Sequence, residues 1–173
     1  MRFDVRPRAT ADLDDCALAL REVYEADRYP RTFPDDPVQW LQHPRQRQAW
    51  VAVTDTGSLA GHVALNVAEG DPAISVSTAW TGLGPEHLAV VSRLFVVPAC
   101  RRAGVARALV DTAVRAAHEA GQRPVLDVLQ ADTEAISTYE TLGWERAGSI
   151  VFKSARTGES MPGFVYAGPV PEL

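Results

Sequence analysis

Apolar and polar positions alternate at the start of the chain, where Phe3 and Val5 flank Asp4, and this period of two predicts a strand over residues 2–6. The period then lengthens. Leu13, Ala17, Leu20 and Tyr24 recur at three- and four-residue intervals behind Thr10, so a helix capped by Thr10 is expected to run to about residue 26. Pro30, Pro34 and Pro37 break the next stretch into a loop. Asp36 caps a short helix that has Pro37 at its first position and carries Val38, Trp40 and Leu41. Two strands over 49–53 and 59–67 form a hairpin around Asp55-Thr56-Gly57.

Residues 68–87 show neither period, hold Gly70, Pro72, Gly82, Gly84 and Pro85, and read as an irregular insertion. A nearly unbroken apolar run over 88–97 then predicts a buried strand ending at Pro98. A helix over 105–120 closes at Gly121, and a strand over 125–129 follows. The helix over 132–142 turns Ala135, Ile136, Tyr139 and Leu142 inward and ends at Gly143. Strands at about 145–153 and 163–168 close the chain. Strand–helix–strand–helix between 88 and 142 implies a right-handed parallel crossover with hairpins on either side. The fold class is therefore α/β (α+β), with a single mixed sheet and helices on both faces.

At 173 residues, without repeats or linkers, the chain is expected to form one domain over 1–173 that buries about 70% of its unfolded surface. A net charge of −5 argues against general nucleic-acid binding. No run approaches the length a membrane helix needs and the N-terminus lacks an apolar leader, so a cytoplasmic protein is expected. Cys16 and Cys100 form no spaced cluster. His43, His62, His87 and His118 show no metal-ligand spacing, and no metal is expected. The pattern of a nucleophilic hydrolase and the full phosphate loop of nucleotide hydrolases are both absent.

One local charge pattern runs against the overall balance. Arg101, Arg102 and Arg107 crowd the start of the 105–120 helix, where acidic residues are the usual choice. A strand, a short glycine-containing loop and a helix N-terminus together aim free backbone amides at one point, and an anion such as a phosphate or diphosphate suits that point.

Two motifs give this loop a context. Arg101-x-x-Gly104-x-Ala106 resembles the Gln/Arg-x-x-Gly-x-Gly/Ala signature of the GCN5-related N-acetyltransferase (GNAT) superfamily. Asp132-x-x-Ala135-Ile136-x-x-Tyr139-Glu140-x-Leu142-Gly143-Trp144 is similar to that family's Asn-x-x-Ala-x-x-x-Tyr-x-x-Leu-Gly-Phe element. Both lie in the family's order, one helix and one strand apart, and the strong similarity covers about 88–145. Ala106 in place of glycine is allowed by the signature; Asp132 departs from the usual Asn and lacks its amide donors.

The resemblance implies a GNAT-like fold, mostly antiparallel, with a splayed central parallel strand pair, and acetyl-CoA as cosubstrate. Its diphosphate would lie on the amides of Arg102, Ala103, Gly104, Val105, Ala106 and Arg107, with Arg101 a further cofactor-binding residue. Its pantetheine arm would run beside Leu94, Phe95 and Val96, with the Val96 N–H toward the thioester carbonyl. Tyr139 would be the general acid that protonates the leaving thiolate, Asp127 a candidate general base, Glu86 an alternative base and Asp132 a further cofactor contact. Within the fourth strand Ser92 and Arg93 stand where many relatives carry an acid. Tyr24, Tyr29, Phe33 and Trp40 would line the acceptor pocket, and Asp35 and Asp36 beside them suggest a cationic amine. The implied activity is direct acetyl transfer to a primary amine, a small molecule or a peptide N-terminus. The alternatives are a catalytically idle acyl-CoA-binding module of the same fold and a phosphate-loop nucleotide binder. The closing strands and the 68–87 segment are candidates for a homodimer contact.

Overall fold

The computed structural model describes residues 1–154 and 156–172. Seven strands form one open mixed sheet in the order β1-β2-β3-β4-β5-β7-β6, with five α-helices. The strands are β1 (Phe3–Pro7), β2 (Gln46–Thr54), β3 (Leu59–Val67), β4 (Leu88–Val96), β5 (Arg123–Leu129), β6 (Glu145–Lys153) and β7 (Ser160–Ala167). The helices are α1 (Leu13–Asp27), α2 (Pro37–Leu41), α3 (Ile74–Thr81), α4 (Val105–Glu119) and α5 (Thr133–Thr141). β1–β2, β2–β3, β5–β7 and β6–β7 pair antiparallel, and β4–β5 pair in parallel. The parallel ladder runs only from Leu88↔Arg123 to Val90↔Val125, although β4 continues to Val96. The strand pair expected to splay is therefore paired at its start alone.

Contacts gather into two compact units, Met1–Asn66 with Val91–Ala113 and Val67–Val90 with Val114–Leu173. In the first unit, β3 is buried without interruption from Ala60 to Asn66, so side chains of both parities are covered, as expected of a central strand flanked by helices. Its core includes Leu20, Leu41, Val51, Val63 and Leu109, all fully buried. Gly61 permits a close approach within that core. A Cβ there would lie 2.8 Å from the Phe95 carbonyl oxygen and 2.9 Å from a Leu109 methyl. Gly61→Ala is expected to lower stability by about 1–3 kcal/mol through overpacking. The urea midpoint checks this, and an unchanged midpoint would mean that β4 and α4 give way freely.

In the second unit a smaller core of Ala68, Leu88, Val90, Val125 and Ala167 is flanked by Ile74 and Leu83. Ile74 belongs to α3, which corrects the expectation of an irregular insertion over 68–87. The helix escaped the pattern because Ser77 is its one buried residue, so it carries no apolar stripe. It is held instead by contacts to β6 and β7, where a Cβ on Gly148 would meet Val76 at 2.7 Å.

One helix start also differs. Thr10 opens a 3₁₀ turn over Thr10–Asp12, and α1 begins at Leu13, where the Asp12 carboxylate accepts from the Ala9 N–H at 2.7 Å. The buried stripe of α1 is Leu13, Cys16, Leu20 and Val23, with Ala19 beside it; Ala17 and Tyr24 are half-buried. Both stripes satisfy a 3.6-residue period, and packing chose between neighbouring ridges. Asp36 does cap α2, accepting from the Gln39 N–H at 2.9 Å, with Pro37 in the first turn.

Candidate active site

The connection from β4 to α4 is a tight series of turns. Pro98–Cys100 forms a 3₁₀ turn, and Arg102 (φ 60°) and Gly104 (φ 83°) then adopt left-handed backbone that points successive amides the same way. Among the described residues, the amides from Arg102 to Arg107 have no protein acceptor, and the helical ladder begins with Ala108 N–H to Gly104 O at 3.0 Å. A Cβ built on Gly104 meets nothing within 4 Å, so open space stands before these amides. The loop thus offers unbonded N–H groups of the kind an anion accepts from.

The three arginines divide their work. Arg101 forks onto the Asp27 carboxylate at the end of α1, with Nη1 3.1 Å from Oδ1 and Nη2 on Oδ2, and its Nε donates to the Val96 carbonyl at 3.3 Å. Its charge therefore anchors the loop to α1 and β4. Arg102 is exposed and has no ion pair among the described residues, and Arg107 lies 3.7 Å from Asp111. Phe95 is buried, and Leu94 and Val96 are half-buried on the last turns of β4.

Arg93 interrupts β4 with left-handed backbone at φ 51°, a conformation that costs a non-glycine residue about 1–3 kcal/mol unless its surroundings hold it. Its carbonyl lies 2.9 Å from Nδ1 of His62, a fully buried ring on β3. His62 Nε2 lies 2.9 Å from Nη1 of Arg8, which also donates to the Leu41 carbonyl at 2.9 Å. Because a carbonyl only accepts and a guanidinium only donates, the ring is neutral with its proton on Nδ1. Burial pushes its pKa down to about 3 from an ordinary 6.5, and the hydrogen bond to Arg93 recovers only part of the shift. Nothing in the sequence distinguished His62 from the other histidines.

This histidine carries a prediction about pH. The unfolded ring takes up a proton below about pH 6.5, whereas the folded ring stays neutral until about pH 3. Stability therefore falls as pH drops through that window, with a loss from this group of roughly 2 kcal/mol at pH 5. Thermal midpoints between pH 7 and 5 should fall more steeply for the wild type than for His62→Phe. Coincident slopes would remove His62 from the acid sensitivity.

The four aromatic residues assigned to an acceptor pocket form two pairs in the first unit. Tyr24 and Phe33 have ring centroids 5.2 Å apart, and Tyr29 meets Trp40 edge-on at 6.4 Å. Guanidinium groups already cover three of these rings: Arg21 lies 4.3 Å from Phe33, Arg28 5.1 Å from Tyr24 and Arg93 4.0 Å from Trp40. Asp36 is spent on capping α2. Three of the four rings thus already carry one of the protein's own cations.

In the second unit, Tyr139 is buried on α5, its ring 5.6 Å from Trp144 and 6.4 Å from Tyr166. Asp127 is half-buried on β5, in register with Val165 of β7. Asp132 stands at the N-cap position of α5, and its side chain makes no capping hydrogen bond. Glu86 is exposed in the Pro85–His87 turn before β4, 3.5 Å from His87. Sequence reasoning missed a cluster beside Tyr139. The Tyr166 hydroxyl donates to Glu140 at 2.7 Å and accepts from Arg146 Nε at 3.1 Å. Burial and the bond to Glu140 raise the Tyr166 pKa. No local signal could have shown it, because Glu140, Arg146 and Tyr166 come from three separate elements. Among the described residues no group of three or more His, Cys, Asp or Glu could hold a metal ion, and no helix is long and apolar enough to cross a membrane.

An open mixed sheet whose fourth strand feeds a free-amide loop and a helix start can hold an anion at that point. The chain belongs to the acetyltransferase (GNAT) family, whose model matches residues 14–144. Among solved structures it is similar to the ribosomal-protein-S18-alanine N-acetyltransferase from Escherichia coli, with 17% identity, a TM-score of 0.71, and 99% of this chain and 96% of that one covered. It is also similar to an N-acetyltransferase from Staphylococcus aureus Mu50, at 16% identity and a TM-score of 0.71 over 96% of this chain and 98% of that one. Arabidopsis thaliana NAA60 in complex with acetyl-CoA matches at 17% identity and a TM-score of 0.71, covering 96% of this chain and 97% of that one. At these identities the likeness is one of fold. No curated protein matches the chain.

Proposed function

We propose that this protein transfers the acetyl group of acetyl-CoA directly to a primary amine, on a small molecule or at a peptide N-terminus. The observation that carries the proposal is the run of unbonded amides from Arg102 to Arg107 around the left-handed Gly104, placed at a helix start. They suit a diphosphate, and NAA60, a structure of the same fold, is in complex with acetyl-CoA. Leu94, Phe95 and Val96 run alongside the pantetheine arm, and the Val96 N–H polarises the thioester carbonyl.

In the reaction, the amine nitrogen attacks the thioester carbon, the C–S bond breaks, and the thiolate takes a proton from the Tyr139 hydroxyl. The amine gives up its proton to Asp127, directly or through water, with Glu86 as the alternative acceptor. Holding amine and thioester together supplies about 7–11 kcal/mol of the barrier reduction. The setting is the cytoplasm.

The test is a thiol-release assay with acetyl-CoA against a panel of primary amines. Stoichiometric thiol and N-acetyl product are expected with at least one amine. β4 carries no acidic residue along Leu88–Val96, which favours a second reading, an idle acyl-CoA-binding module. That reading predicts tight acetyl-CoA binding with no thiol released by any amine. Stabilisation by ATP but not by acetyl-CoA in a thermal-shift experiment would overturn both.

A further inference from the structure

We infer that His62 is a positioning residue for acyl transfer, holding through its Nδ1–H the backbone turn at Arg93 from which Leu94, Phe95 and Val96 run on. This rests on the acetyl-transfer reading above, and on three features of the first unit that the reading does not itself require.

The first is the turn. Left-handed backbone at an arginine persists only where its neighbours hold it, and it rotates the Arg93 carbonyl onto the His62 ring at 2.9 Å. The second is that the same ring reaches past the turn: it stacks on Phe95 with centroids 5.2 Å apart and planes 14° apart. One side chain thus fixes both the turned carbonyl and a residue two positions on. The third is that the ring is itself fixed. Arg8 Nη1 donates to its Nε2 at 2.9 Å and also to the Leu41 carbonyl, which selects the tautomer with the proton toward Arg93.

The Arg93 side chain completes the arrangement from the other side. Its Nε donates to the Trp40 carbonyl at 2.8 Å and its guanidinium lies over the Trp40 ring. The end of α2 therefore receives Arg8 and Arg93, and β4 receives His62. If the Arg93 carbonyl is released, the strand that presents the Val96 N–H loses its reference, while the amides at Arg102–Arg107 keep theirs.

The experiment compares His62→Phe with His62→Asn. Phenylalanine keeps the stack on Phe95 but has no donor; asparagine places an amide N–H where Nδ1–H stood. For folded His62→Phe, kcat is expected to fall about 10–100-fold, the scale set by small misplacements of reacting groups. Its acetyl-CoA dissociation constant is expected to stay within about twofold of wild type, and His62→Asn to recover kcat to within about threefold of wild type. A residue that merely stabilises the fold would shift the melting temperature without this split. Wild-type kcat in His62→Phe, or His62→Asn no better than His62→Phe, would overturn the role.

Side-chain ¹⁵N spectra of the wild-type histidines supply a readout that needs no variant to fold. They should show one neutral histidine protonated on Nδ1 near pH 7. A His62 carrying its proton on Nε2 would overturn the inference. Wild-type protein that binds acetyl-CoA yet releases no thiol with any amine would instead sink the acetyl-transfer reading, a failure the spectra distinguish.

Discussion

Gly104→Glu is expected to abolish acetyl-CoA binding while leaving the chain folded. The backbone at Gly104 has φ 83°, which costs a residue with a Cβ about 1–2 kcal/mol. That cost is the only local one, because a Cβ there meets nothing within 4 Å. The glutamate side chain then fills the space before the amides of Arg102–Arg107 and brings a carboxylate to the donors that a diphosphate would use. It also repels the diphosphate at the point where the helix dipole would have favoured it. A loss of affinity of at least about 100-fold, near 2.7 kcal/mol, is expected by calorimetry. Gly104→Ala separates the two contributions, since it carries the backbone cost without the charge or the bulk and should weaken binding far less. Micromolar affinity retained in folded Gly104→Glu would remove the diphosphate from this loop.

Tyr139→Phe is expected to lower kcat by about 10²–10⁴-fold, the range for loss of a general acid, with acetyl-CoA binding unchanged. The substitution removes one oxygen and keeps the ring that packs on Trp144 and Tyr166, so α5 should stay in place. Phenols in general lose their proton only near pH 10, so a phenol can donate to a thiolate at neutral pH. Single-turnover kinetics with saturating acetyl-CoA would separate chemistry from binding. Unchanged turnover would take Tyr139 out of the acid role and direct attention to Tyr166, whose ring centroid lies 6.4 Å from that of Tyr139 and whose hydroxyl donates to Glu140 at 2.7 Å.

Much of the local architecture was legible from residue order. The apolar run before Pro98, the cap at Asp36 and the closing glycines Gly121 and Gly143 each act within a turn or two of chain, and each fell close to its expected place. The α3 helix did not, because its sequence carries no amphipathic stripe and its burial comes from β6 and β7.

The sequence by itself determined the elements other than α3, the strand–loop–helix turn before α4 and the family, since each is set by short-range periodicity, steric rules or a motif whose spacing survives in the chain. Only the tertiary structure decided how charge is spent. Arg101 is given to Asp27, Arg93 to Trp40 and Glu140 to Tyr166, partners up to 74 positions apart. Most of these pairings close through long loops and compete with water for the same polar atoms, so no local pattern can rank them. His62 shows the difference most plainly: one of four histidines in the sequence, it becomes a buried neutral donor because the fold brings Arg8, just past β1, and the Arg93 carbonyl of β4 to its two nitrogens.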